Sequence, residues 1–106
     1  MSRFDQRLRQ DMQDPAFAAG YYEQDVELKL VQALDAIRRN EKISNAQLAQ
    51  HSGLSREAIS RLFNAERPNP TLETLSELLR ALHLQAEVTL RHVPEGTPPI
   101  RIKEPA

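Results

Sequence analysis

The sequence predicts an all-α domain of five helices followed by one short C-terminal β-strand, and three observations carry that expectation. Apolar residues recur at three- and four-residue intervals from Phe4 to Leu82, the period of helices that each bury one face. Short polar residues suited to capping stand before the helical stretches, at Asp14, Ser44, Ser55 and Thr71. Aromatic residues are only 5% of the 106, and Trp is absent, so Leu, Ala and Ile supply most of the apolar content and favour small helical packing over a sandwich.

The elements follow in order. Phe4, Leu8 and Met12 are apolar points spaced four apart in an otherwise polar opening segment, which reads as successive helical turns. Asp14-Pro15 marks a helix start, because Asp accepts from orphan amides and Pro fits the first helical position. Phe17, Ala18, Tyr21 and Tyr22 follow at helical spacing. From Val26 to Arg39, one face carries Val26, Leu30, Ala33, Leu34 and Ile37, with Arg38 and Arg39 in the last turn where cations suit the helix dipole. Ser44 precedes Gln47 by three residues, a capping box that opens a short helix over about 45–51. Gly53 breaks it, and Ser55 caps the next helix, whose buried side carries Ala58, Ile59, Leu62 and Phe63. Arg67-Pro68-Asn69-Pro70 is a connector, since each Pro biases its predecessor toward extended geometry. Thr71 caps the last helix, with Leu72, Leu75, Leu78, Leu79 and Leu82 as its apolar face.

Beyond it the period becomes two. Leu84, Ala86, Val88 and Leu90 alternate with Gln85, Glu87, Thr89 and Arg91, the pattern of a half-buried strand. A lone strand in a helical chain needs a partner for its backbone groups; it either folds back on its own chain or pairs with a second copy, and the second copy is the simpler, so Ala86, Val88 and Leu90 are expected to pair across a homodimer. Four prolines after Val93 predict a mobile tail. The expected plan is therefore an N-terminal segment over 1–24, a core domain over 25–84, a dimerisation strand over 85–93 and a flexible tail over 94–106.

Composition removes several functions. There is no cysteine, hence no disulfide, thiolate nucleophile or cysteine-ligated zinc. The three glycines stand far apart at Gly20, Gly53 and Gly96, so no phosphate-cradling loop exists. His51, His83 and His92 are too scattered to suggest a metal site. No cofactor, metal or small-molecule substrate is expected, and no enzymatic activity. No stretch reaches ten consecutive apolar residues, so neither a signal peptide nor a membrane span is expected, and the expected location is the cytoplasm. Fourteen Lys and Arg against fifteen Asp and Glu give a net charge of −1. The distribution is uneven: residues 1–29 total −2, whereas residues 36–67 total +3. Any nucleic acid must be met by that internal segment.

The informative stretch runs from Ser44 to Leu62. Two short helices joined by a glycine turn, with Ala49, Leu54, Ile59 and Leu62 inward, make a helix-turn-helix unit. The outward residues of its second helix, Arg56, Glu57, Ser60 and Arg61, are then available to base edges in a major groove. Glu57 has two readings of equal standing, as an acceptor from a cytosine amine or as the i, i+4 partner of Arg61.

At these residues the sequence resembles the phage-repressor-like helix-turn-helix family (Xre, Cro/C1-type) over about Val31 to Leu84, including Asn-Pro-Thr-Leu-Glu-Thr-Leu from Asn69 to Leu75. The resemblance implies the lambda-repressor-like five-helix fold and double-stranded operator DNA as partner. It implies that Arg56, Glu57, Ser60 and Arg61 read bases, and that Asn45, Ser55, Asn64 and Arg67 hold phosphates. Where the family commonly has Gly this chain has Ala65, so left-handed geometry there would cost about 1 kcal/mol unless Asn64 adopts it.

Asp14-Pro15-Ala16-Phe17, Tyr21 and Tyr22 ahead of the domain, with the strand behind it, are similar to HigA-type antitoxins of toxin–antitoxin modules. That likeness implies a RelE/HigB-like RNA-cleaving toxin as partner, together with repression of the module's own operon. The toxin is expected on the N-terminal segment to about Tyr22 or on the surface of helices one and four, and Phe17, Tyr21 and Tyr22 either pack on the chain's own core or face that partner. A stand-alone repressor shares the DNA module and differs by lacking a toxin gene beside it. A pure protein-interaction module would show no salt-dependent DNA binding.

Overall fold

The computed structural model describes residues 2–105 and contains five helices among them: α1 Arg3–Asp11, α2 Pro15–Asn40, α3 Asn45–Ser52, α4 Arg56–Asn64 and α5 Leu72–Ala81. Every helix starts on a side-chain cap. Ser2 accepts from the Asp5 amide, Asp14 from Ala16, Ser44 from Gln47, Ser55 from Ala58 and Thr71 from Thr74, each filling one of the orphan donors of a first turn.

The two helical stretches read separately around Phe17 and Val26 are one continuous helix of 26 residues, about 39 Å long at the α-helical rise. Only Val31 and Leu34 of α2 are buried, so its N-terminal half runs beyond the core. Val26, Leu30, Ala33 and Ile37 are half-buried, and the burial stripe centres one position away from the expected one. This length gives the chain a radius of gyration of 16.1 Å, against about 13 Å for a compact domain of this size.

The core is Leu34, Leu48, Ile59, Leu78, Ala81 and Leu82, ringed by Ile43, Ala49, Leu54, Leu62, Phe63, Leu75, Leu79 and Leu84. α3 packs on both α4 and α5, and α4 also packs on α2. Leu72 is 84% exposed, so the apolar face of α5 begins at Leu75 and not at Leu72. α1 buries no residue, and Phe4 stands 75% exposed.

Two helices end in left-handed residues that are not glycine. Lys42 has φ 58°, with the Ile43 amide donating to the Arg38 carbonyl at 3.0 Å. His83 has φ 57°, with the Leu84 amide donating to the Leu79 carbonyl at 2.9 Å. Both are the six-to-one closure that satisfies the last carbonyls of a helix. Ala65, at the position where the family commonly has Gly, is extended at φ −72°, and Asn64 is the last residue of α4, so neither adopts left-handed geometry.

The strand expected over 85–93 does not form among the described residues. Ala86, Val88 and Leu90 are exposed, Val88 by 80% and Leu90 by 90%, and no backbone group of 85–93 bonds to another backbone group among the described residues. A strand exists through its ladder, and this helical chain offers no second strand to supply one. The tail, expected to be mobile, lies along α2. It turns at Pro94, whose carbonyl accepts from the Thr97 amide and hydroxyl at 3.2 and 2.6 Å, and Tyr22 donates to the Gly96 carbonyl at 3.4 Å. Ile100 and Ile102 are half-buried, and Ile102 faces Ala33 and Ala36 across a groove of about 570 Å³.

Candidate nucleic-acid interface

The helix-turn-helix is assembled by short-range bonds that the sequence announces. At the start of α3 the Gln47 amide donates to Ser44 Oγ at 3.1 Å, and Gln47 Oε1 accepts from the Ser44 amide at 2.9 Å, a complete capping box. α3 ends on Gly53 at φ 79°, where a Cβ would be strained even though nothing obstructs it. Ser52 is 3% exposed, and its hydroxyl accepts from the Leu54 amide at 3.2 Å, which pins the turn from inside. The Ser55 hydroxyl then accepts from the Ala58 amide at 3.0 Å and starts α4.

Leu48 and Ile59, 0% and 1% exposed, are the residues that seal α3 to α4. Ile59 was expected inward, while Leu48 and Ser52 were missed. Ala49, Leu54 and Leu62 sit around that centre and are only partly buried. The run Gln47-Leu48-Ala49 offered Leu48 as an alternative anchor one position before Ala49, and period alone does not choose between neighbours.

Burying Ile59 turns the opposite face of α4 to solvent. Arg56, Glu57, Arg61 and Asn64 are exposed, and Ser60 is half-buried. Glu57 and Arg61 form no ion pair with each other or with any other described residue. Asn64 Nδ2 donates to Ser60 Oγ at 3.2 Å, which couples a base-reading candidate to a phosphate candidate. Arg67 is exposed on the connector before buried Pro68. Asn45 is half-buried, and its Oδ1 is enclosed with no hydrogen-bond partner among the described residues; since phosphate only accepts, the donors Asn45 can offer it are Nδ2 and its own first-turn amide.

Not every cation in the 36–67 segment is available. Arg38 is drawn inward: Nε and Nη2 donate to Asp35 Oδ1 at 3.1 and 2.7 Å, Nη1 donates to the Ile43 carbonyl at 2.9 Å, and the side chain is 13% exposed. Arg39 remains 69% exposed beside Asp35. Arg80 was also missed by sequence reading. Its Nη2 donates to Glu77 at 2.6 Å and to the His51 and Ser52 carbonyls at 3.3 and 3.4 Å, a cation closing the C-terminus of α3. A contact between residues 28 apart leaves no signature in local pattern.

The aromatic residues proposed for a protein partner cluster on the N-terminal half of α2. Phe17 stacks on Tyr21 at 6.5 Å, and Tyr21 meets Tyr22 edge-on at 5.7 Å. Phe17 is 40% and Tyr21 42% exposed, while Tyr22 is half-buried. Tyr21 and Asp25 also line a groove of about 220 Å³ with Glu66 and Arg67, so the aromatic cluster and the connector are neighbours.

No helix among the described residues is long and apolar enough to cross a membrane. No curated protein and no solved structure gives a significant match to the chain. A family model described as helix-turn-helix matches residues 34–88, just over half of the chain and the span that holds α3, the Gly53 turn and α4. The chain belongs to the helix-turn-helix family of the Xre, Cro/C1 type.

Proposed function

We propose that this sequence-specific DNA-binding protein of repressor type is an antitoxin, which neutralises a RelE/HigB-like mRNA-cleaving toxin and represses its own operon. Membership of the family carries the DNA-binding half. The exposed face of α4 supports base reading by Arg56, Glu57, Ser60 and Arg61, with Asn45, Ser55, Asn64 and Arg67 holding the backbone.

The observation that carries the other half is the N-terminal half of α2 with its approach. Residues 10–28 contain five carboxylates and no Lys or Arg, and they display the stacked pair Phe17 and Tyr21 to solvent. An acidic surface with an aromatic anchor suits a basic protein partner, and it lies outside the core that supports α4. The active DNA-binding species in this reading is a homodimer, joined through Ala86, Val88 and Leu90, on a pseudo-palindromic operator with half-sites about 34–36 Å apart.

Deletion of residues 1–22 separates the two activities. The buried core starts at Val31, so the truncated protein keeps its fold and its operator binding while losing the toxin. Co-purification of toxin with the truncated protein refutes the assignment of that surface. Loss of operator binding by the full chain at low salt refutes the DNA half.

A further inference from the structure

The segment from Gln85 to Val93 is held at both ends and free between them. At one end Leu84 belongs to the rim of the core, and its amide is bonded to Leu79. At the other, the Pro94–Thr97 turn closes on itself and accepts a bond from Tyr22 at Gly96. All nine intervening residues are exposed, with their backbone groups unbonded to other backbone among the described residues. Even positions carry Ala86, Val88, Leu90 and His92, and odd positions carry Gln85, Glu87, Thr89, Arg91 and Val93.

Two copies related by a two-fold axis can pair this segment in only a few registers, and charge selects among them. Centring the axis on Glu87 or Arg91 sets like charges face to face. Parallel in-register pairing stacks Glu87 beside Glu87 and Arg91 beside Arg91. Centring on Val88 or Leu90 leaves both charges opposite neutral side chains. Centring on Thr89 alone sets Glu87 of each copy opposite Arg91 of the other, with Val88 opposite Leu90 on the reverse face and Thr89 opposite itself. Opposite charges, apolar pairs and Thr–Thr pairs are the directly opposed combinations that stabilise antiparallel strands.

We propose that residues 85–93 form an antiparallel strand pair with a second copy of this chain, in the register that places Thr89 on the two-fold axis and pairs Glu87 with Arg91 twice. This rests on the homodimer in the functional reading above and adds its register. The nine residues span about 30 Å when paired, and each copy supplies the ladder that the other lacks. The anchored end at Leu84 reduces the ordering that pairing requires.

The native chain has no cysteine, so single cysteines report the register directly. In the full-length protein, Thr89→Cys is expected to give a disulfide-linked dimer on mild oxidation. Val88→Cys is not, because its own copy lies diagonally, about 7–8 Å away. Sedimentation equilibrium is expected to show Glu87→Arg and Arg91→Glu each weakening self-association about tenfold, and an equimolar mixture of the two variants recovering it as a heterodimer. Both side chains are exposed in the single chain, so folding, followed by far-UV circular dichroism, stays unchanged. A dimer that cross-links through Val88→Cys and not Thr89→Cys, or that ignores both charge reversals, overturns the register and leaves the dimer standing. A monomeric native chain at high micromolar concentration overturns the dimer itself.

Discussion

Arg38 on α2 lays its guanidinium carbon 5.2 Å from the centre of the Phe63 ring on α4, while the same group holds the Ile43 carbonyl and the Asp35 carboxylate. One side chain therefore ties the long helix to the recognition helix and to the loop leading into α3. Arg38→Ala is expected to lose about 2–3 kcal/mol in urea unfolding, because a half-enclosed carboxylate and a carbonyl lose charged donors along with the ring contact. Arg38→Lys recovers only part of that, since an ammonium cannot reach all three partners as a planar fork does.

Arg80 closes the end of α3 from 28 residues away. Its side chain is 62% exposed, so solvent screens much of the interaction, and Arg80→Ala is expected to cost only about 0.5–1 kcal/mol. The sharper readout is hydrogen exchange: protection falls in the last turn of α3 and around Gly53 while α5 keeps its own.

Lys42 and His83 occupy left-handed backbone at φ 58° and 57°. Glycine removes a Cβ cost of about 1–2 kcal/mol at such a position but widens the unfolded ensemble. Lys42→Gly and His83→Gly are therefore each expected to stabilise by about 0.5 kcal/mol, seen as a raised urea midpoint with an unchanged slope. Gly53→Ala destabilises by a similar argument in reverse.

On operator DNA, Arg56→Ala and Arg61→Ala are each expected to weaken binding by about 1–3 kcal/mol and to relax the preference at one base position. Arg67→Ala weakens binding to all sequences alike and reduces the salt slope by about one. A titration at fixed salt with matched specific and scrambled duplexes distinguishes the two behaviours.

The local parts of this structure were legible because their causes are local. A hydroxyl three residues from an amide makes Ser44 and Gln47 a cap in any context, and Gly53 marks a turn by its missing Cβ. The strand expected at Ala86, Val88 and Leu90 is absent from the single chain because alternation states what a segment would bury, not whether a partner is present. The left-handed closures at Lys42 and His83 carried no signal, since Asn or Gly would ordinarily announce them. Arg38 adds to the positive sum of 36–67 although Asp35 and the Ile43 carbonyl hold it locally; its third partner, Phe63, meets it only after α2 and α4 pack.

The Tyr22 bond to Gly96 joins residues 74 apart in the chain, whereas α3, α4 and α5 meet across short intervals. In kinetic terms the central three helices should collapse first and quickly, since nearby contacts close small loops. Docking of the tail on α2 then comes last and is the first contact to open, held by one long hydrogen bond and two half-buried isoleucines. Subglobal opening of residues 94–105 thus frees the outer face of α2 without disturbing the fold beneath α4.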